Sequence, residues 1–435
     1  MALVAHIPLA LLLKRSPELS TLHALGTLAL GVLWATQRPR LDRAIYVVAY
    51  LAGAEILWRM TRADVFWEYG KYSITLLLGL LLLRSGRQTR LSTLAVIYFL
   101  LLLPACISTI DTLGWGEPAR SAVSFNLSGP LSLAVAVMFF SGYRAPNLRL
   151  DWLLESMLLP ITGILALAMY GTLTAEHITF GTQANFITSG GYGPNQVAAI
   201  LGLGAVLALL LSLHSRESGL RWIFAGLSFL FLVQAVLTFS RGGVFNVAVC
   251  VALLGFHYIR DRHQRGAFVL LFLVLGPITA NLVLPRLDAW TEGRLKERFQ
   301  SFDTTGRKDI AASELELWSE NPFIGVGTGM SSYARYYRGL GGAAAHTEFT
   351  RLLAEHGSFG AVAVLILLYI CFHAYRSAPD VVARAWVAIL TGWAFVEMAH
   401  AAMRIAAISL LVGMATIRWA RPGGPPISRR PPATG

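Results

Sequence analysis

The sequence predicts an all-α fold, a polytopic membrane helical bundle of about twelve to fourteen spans with a folded extracytoplasmic cap between late spans. Three observations predict it. Hydrophobic residues make up 55% of the 435-residue chain and charged residues only 14%, against roughly 45–50% and about 25% in soluble domains. Apolar runs near the length of a bilayer crossing recur along the whole chain. A mean hydropathy of +0.58 leaves more apolar surface than a soluble core can bury. Helix follows because a backbone in lipid must satisfy its own hydrogen bonds, and no β-barrel alternation is visible.

Taken in order, the candidate spans are 19–36, 44–60, 68–83, 91–110, 121–142, 152–174, 195–213, 221–238, 243–259, 267–284, 357–375, 384–400 and 402–419. Segment 1–13 is short for a full crossing and reads as half of a hairpin with 19–36. It lacks a basic leading region, and Lys14-Arg15 follow it in place of a small-residue cleavage site, so it is not expected to be a signal peptide. Cys106, Cys250 and Cys371 all lie in apolar runs, where cysteine behaves as a small hydrophobe; neither a disulfide framework nor a metal site is expected.

Net charge +12 and a pI near 9.9 would suit a nucleic-acid binder, but the location of the charges excludes that partner. Arg84, Arg87 and Arg90, then Arg144 and Arg149, Arg216 and Arg221, Arg260, Arg262 and Arg265, Arg376 and Arg384, and finally Arg418, Arg421, Arg429 and Arg430 fall at one side of the alternating spans. Basic short loops mark the cytoplasmic face. The bundle 1–284 is thus followed by a hydrophilic extracytoplasmic cap over 285–356, then by the last spans within 357–419. The Pro-rich tail 420–435 reads as a disordered cytoplasmic end.

Within the cap, Lys308 to Glu320 reads as a helix capped by Thr304 or Thr305, with Ile310, Leu317 and Trp318 on one face and Asn321-Pro322 as its stop. The glycine-rich turn Gly325–Gly329 reads either as a backbone nest for phosphate oxygens or as a tight turn packing the cap onto the bundle. Farther on, Phe349, Leu352, Leu353 and His356 share a face of a short amphipathic helix ended by Gly357. His346 sits just before it. A histidine there can take a proton from an attacking hydroxyl, or simply cap a helix at the interface.

Arg241, in the tight turn Ser240–Gly243, is costly to desolvate and lies against the charge rule, so it reads as functional or else as snorkelling to lipid phosphate. Arg307 supplies a second guanidinium on the same side. Two such forks suit phosphate or pyrophosphate oxygens. Gly191–Gln196 opens a span where a helix N-terminus can face an anion or merely start at Pro194. Glu397, His400 and Arg404 either line a cavity or pair with one another, and Glu55 reads as a lone acid near the bundle interior.

At these residues the sequence resembles the O-antigen ligase and O-antigen polymerase superfamily. The resemblance rests on Ser240-Arg241-Gly242-Gly243, on Gly306-Arg307 followed by Trp318 and Asn321–Gly327, and on His346 ahead of a leucine-rich helix ending Glu355-His356-Gly357. It covers roughly 190–375. Thr347-Glu348 depart from the asparagine that many members place after the histidine.

The resemblance implies a bacterial inner-membrane glycosyltransferase with its active site on the periplasmic side. The donor would be an undecaprenyl-pyrophosphate-linked glycan, and the acceptor a hydroxyl of lipid A–core or of another glycan. Chemistry would be inverting and metal-independent, with no cofactor, which the lack of Asp-x-Asp fits. His346 would be the catalytic base, and Arg241 and Arg307 would bind the pyrophosphate. Polymerisation of lipid-linked repeats, exopolysaccharide assembly and protein O-glycosylation use the same chemistry. A flippase for lipid-linked sugars is the alternative of another class; it fits less well, since charge lies on one face and no inverted repeat is evident. A receptor or scaffold leaves Arg241 without a purpose.

Overall fold

The computed structural model describes residues 1–37, 41–85, 89–143, 149–215, 217–300, 306–339 and 342–419. Thr304 and Thr305, the loop arginines Arg87, Arg144 and Arg216, and the tail 420–435 with Arg421, Arg429 and Arg430 lie outside them.

The chain begins with the hairpin expected of its first segment. Helix α1 (Ala2–Arg15) breaks at Ser16, whose hydroxyl accepts from the Leu19 amide at 3.2 Å, and Pro17 starts α2 (Pro17–Thr36). Then follow α3 (Leu41–Met60), α4 (Tyr69–Ser85), and the pair α5 (Arg90–Leu100) and α6 (Ala105–Leu113), parted at Pro104. The long α7 (Glu117–Gly142) and α8 (Leu150–Thr174) contain Pro130 and Pro160. Helices α9 (Pro194–His214), α10 (Ser218–Leu237), α11 (Arg241–Tyr258) and α12 (Arg265–Ile278) continue the bundle. Past Pro277, α12 runs through a π turn into α13 (Leu284–Trp290). Short helices α14 (Arg294–Gln300), α15 (Arg307–Glu320) and α16 (Ser331–Tyr337) fill the segment before α17 (Glu348–Ser377), α18 (Val381–Ala401) and α19 (Ala407–Ala415).

Ten helical stretches among the described residues are long and apolar enough to cross a bilayer, and they correspond to ten of the thirteen spans read from the sequence. This is a multi-pass membrane protein. The other three differ for stated reasons. Helix α3 carries Asp42, Arg43, Glu55 and Arg59, α4 has 17 residues, and 402–419 yields only the nine-residue α19 after an irregular turn. These three pack into the bundle, with α3 against α8 and α19 against α7 and α18. Surrounded by protein, α3 can keep ionised groups that lipid would reject.

The core is organised on α9, in which every residue from Val197 to Leu213 is buried. A helix apolar on all sides has no solvent or lipid face and must be central. It packs on α8, α10 and α11. Its contact with α11 is backbone on backbone: a Cβ on Gly243 would meet the Ala198 carbonyl oxygen at 2.1 Å, and one on Gly202 the Gly243 carbonyl oxygen at 2.5 Å. Small residues permit this approach, which maximises van der Waals contact between helices.

Gly243→Ala is expected to push α9 and α11 apart and destabilise the protein by about 1–3 kcal/mol. Gly226→Ala on α10, where a Cβ meets nothing within 4 Å, should be neutral or slightly stabilising. Thermal unfolding of the two variants in detergent distinguishes them.

Candidate active site

The turn between α10 and α11 sets the site. Phe239 adopts φ +57°, a left-handed conformation that strains a bulky residue. Its surroundings hold it there. The buried Phe239 ring stacks on Phe180 at 5.2 Å, the Thr238 carbonyl accepts from the Asn185 amide at 2.8 Å, and Arg298 of α14 donates to the Phe239 carbonyl at 3.0 Å. Ser240 donates to Asn195 at the head of α9 at 2.8 Å. Arg241 is thereby fixed as the first residue of α11, at the cap end of the bundle.

Arg307 heads α15, which starts at Gly306 in a left-handed conformation (φ +74°) rather than at a threonine cap within the described residues. Its guanidinium feels Arg241, and burial together with that neighbouring positive charge lowers its pKa below the usual arginine value. Arg404, in the turn between α18 and α19, is lowered in the same way by burial and by Arg307. Three guanidiniums therefore gather with Glu397 of α18 among them. Glu397 accepts from Asn246 of α11 at 2.7 Å, and His400 lies 3.1 Å from the Asn246 carbonyl oxygen and 3.4 Å from Glu397. Glu397 and His400 thus pair with each other, while Arg404 bonds the Ala345 carbonyl and lines a hollow, so each sequence reading holds for part of the trio.

His346 lies two residues before α17, whose N-cap is Thr347. The segment carrying it is gripped from both sides: Arg335 donates to the Ala343 carbonyl, and Arg404 to the Ala345 carbonyl at 2.7 Å. Arg335 is itself anchored on Glu314 of α15 at 2.8 Å, both side chains being almost wholly buried. The His346 imidazole is half-buried, and burial followed by the positive charges of Arg404, Arg307 and Arg335 lowers its pKa to about 4. At neutral pH it is an uncharged base.

The structure therefore brings Arg241, Arg307 and His346 together, and adds Arg404, Asn246 and Glu397 from helices distant in sequence. Sequence reasoning missed Asn246 and Arg298, whose polarity within or beside apolar helices was the available signal. Other expectations change. The Val326 and Gly327 amides donate to the Ala354 and Glu355 carbonyls at 2.9 and 3.1 Å, so these amides are committed to packing the turn, not to an anion. A Cβ on Gly325 would strike the Glu355 backbone at 2.4 Å. Gly357 does end the amphipathic segment, with φ +58°, but helix resumes directly as a span. Glu55 is not alone: it pairs with Arg59 at 2.9 Å and accepts from the Ala406 amide at 2.6 Å. At the head of α9, Gln196 accepts from Arg59 at 2.7 Å and Asn195 from Ser240, so both side chains serve packing.

Residues 226–365 match the family model described as O-antigen ligase, which bears out the resemblance read from the motifs. The match contains Arg241, Arg307 and His346 and leaves α1 to α9 outside it. No curated protein matches the chain.

Guanidiniums brought together at a partly buried site suit the oxygens of an anion. Inorganic pyrophosphate is expected to raise the thermal stability of the full chain in detergent, by up to about 2.7 kcal/mol at a hundredfold excess over its Kd. Arg241→Ala should remove most of that shift.

Proposed function

We propose that this O-antigen ligase-like glycosyltransferase moves a glycan from undecaprenyl pyrophosphate to an acceptor hydroxyl, with lipid A–core as acceptor, at the periplasmic face of the inner membrane. The observation that carries this reading is a neutral histidine facing a cluster of guanidiniums. A base and an anion clamp side by side are what glycosyl transfer from a pyrophosphate requires.

On this reading the acceptor hydroxyl gives its proton to His346 as its oxygen attacks the anomeric carbon. The bond from that carbon to the pyrophosphate oxygen breaks with inversion, and the electron pair leaves on the pyrophosphate. Arg241 and Arg307 hold that group and stabilise the negative charge as it develops, the largest single catalytic effect available to fixed donors. No divalent cation is needed, because two guanidiniums supply the charge. An apolar groove beside Val236, Val244 and Leu284 lies against the Arg241 turn and suits the polyprenyl tail. Repeat-unit polymerisation is the second reading, since nothing in this chemistry depends on which hydroxyl attacks.

With an undecaprenyl-pyrophosphate glycan and EDTA present, wild type is expected to form product on lipid A–core. His346→Ala should lower the rate by about 10²–10⁴-fold and Arg241→Ala by about 10²–10³-fold. Laddering on the lipid-linked repeat instead would make it a polymerase. Undiminished transfer by both variants, or movement of lipid across liposomes without transfer, would overturn the reading.

The pH profile offers a separate check. The base acts unprotonated, so kcat/KM falls as pH drops through the pKa of His346 in the free enzyme. That acid limb is expected near pH 4, below the usual histidine range, with a plateau above it. Arg404→Ala removes a positive neighbour and should move the limb upward.

A further inference from the structure

Three hollows at the cap end are lined in part by residues of the N-terminal helices, and two of them share Phe66. The first begins at Ala345 and Arg404 beside His346 and is bounded by Asn126, Ser332 and Glu348. Its floor is rigid: Arg351 binds Glu355 at 2.6 Å and Asn126 at 3.3 Å, and Glu348 accepts from the Met403 amide at 3.2 Å. The second opens along the same helix, at Ser121 and Ser124 of α7, and reaches Tyr72 and Phe66. The third shares Phe66 and runs on to Trp67, Arg59 and Arg62.

We infer that this series is the acceptor-saccharide groove, with Phe66 and Trp67 as stacking platforms and Tyr72, Ser121 and Glu68 as hydroxyl partners. It rests on the transferase reading and adds to it where the acceptor lies. Phe66 is 57% exposed and Trp67 is 41% exposed although the Arg59 guanidinium lies 4.1 Å from the Trp67 ring centroid. Tyr72 reaches Ser124 at 3.0 Å and its ring lies 5.9 Å from Phe66. Flat rings alternating with carboxylates, guanidiniums and hydroxyls match a sugar, whose C–H faces are apolar and whose rim is polar.

Two other occupants fit less well. A lipid tail needs a continuous apolar lining such as that at Val236, Val244 and Leu284. Anchoring rings of a membrane-interface belt face lipid, whereas Phe66 and Trp67 border hollows that also hold Arg59, Arg62, Glu68 and Glu117. Displacement with inversion also requires the acceptor to approach opposite the leaving pyrophosphate. The lipid groove is built from α10, α11, α13 and α14, and the saccharide groove from α3, α4 and α7, with His346 and Arg404 at its near end.

The test uses full-length protein in nanodiscs, with whichever of lipid A–core or lipid-linked repeat the wild type accepts. Phe66→Ala is expected to raise the acceptor KM about tenfold, with the effect in KM rather than kcat and the donor KM unmoved. Phe66→Trp should restore the affinity, since it keeps the ring. In parallel, a benzophenone-bearing core oligosaccharide, offered without donor, should cross-link within 62–72 and 117–126. A rise in the donor KM instead would overturn the assignment and make the groove a donor site. An unchanged acceptor KM with cross-links elsewhere would overturn it too, leaving the rings as interface anchors. If wild type transfers nothing, the transferase reading fails on its own. Cross-links in the groove would then sustain it as a saccharide site, and cross-links outside it would overturn it.

Discussion

The site depends on a repulsion held in place. Arg241, Arg307 and Arg404 come from three separate parts of the chain; Arg307 feels both Arg241 and Glu397, and Arg404 feels Arg307 and Glu397, both partly withdrawn from water. Unassisted, such charges would part, because repulsion grows as the local dielectric falls. They stay because each is tied into rigid backbone: Arg241 by the strained Phe239 turn, Arg307 by the head of α15, and Arg404 by its bond to the Ala345 carbonyl. Burial, followed by the positive charges of Arg404, Arg307 and Arg335, keeps His346 uncharged. An anion clamp and a free base are thus two consequences of one arrangement.

The scaffold exists to make that rigidity possible. Helix α9 supplies a fully buried spine, and the glycine contact with α11 brings Arg241 down onto the Asn195 end of it. Glu55 and Arg59 of α3 brace the 402–406 turn from the other side, through the Ala406 amide and the Arg404 carbonyl. Buried ion pairs of this kind add little net stability, since desolvation offsets attraction, but breaking one leaves an uncompensated charge. Their effect here is to fix geometry. The motif residues divide accordingly: Arg307 feels Arg241 and in turn acts on His346, while Gly325, Gly327 and Glu355 lock the cap turn onto α17.

The segment matching the O-antigen ligase model runs from within α10 to the middle of α17 and holds the proposed chemistry. The aromatic and polar hollows on α3, α4 and α7 lie outside it. On the proposed reading, this separates what every such transfer needs from what selects a particular acceptor. The first demands fixed charges, the second a surface that can change without disturbing them.

By itself the sequence determined the fold class, because 55% apolar residues in repeated span-length runs leave a backbone in lipid no alternative to helix. It also singled out Arg241, Arg307 and His346, since an arginine in a tight apolar turn and a histidine at a helix head stand out against their neighbours. Tertiary structure decided the rest. Whether α3, α4 and 402–419 face lipid or protein depends on what packs around them, and charge within a span reads the same either way. The Ala406 partner of Glu55, the bonding of the Val326 and Gly327 amides and the joining of Glu397 to Asn246 are contacts across more than 25 residues, which no local pattern encodes. The low basicity of His346 has the same origin, for it is set first by burial and then by charges on the 402–406 turn, α15 and α16.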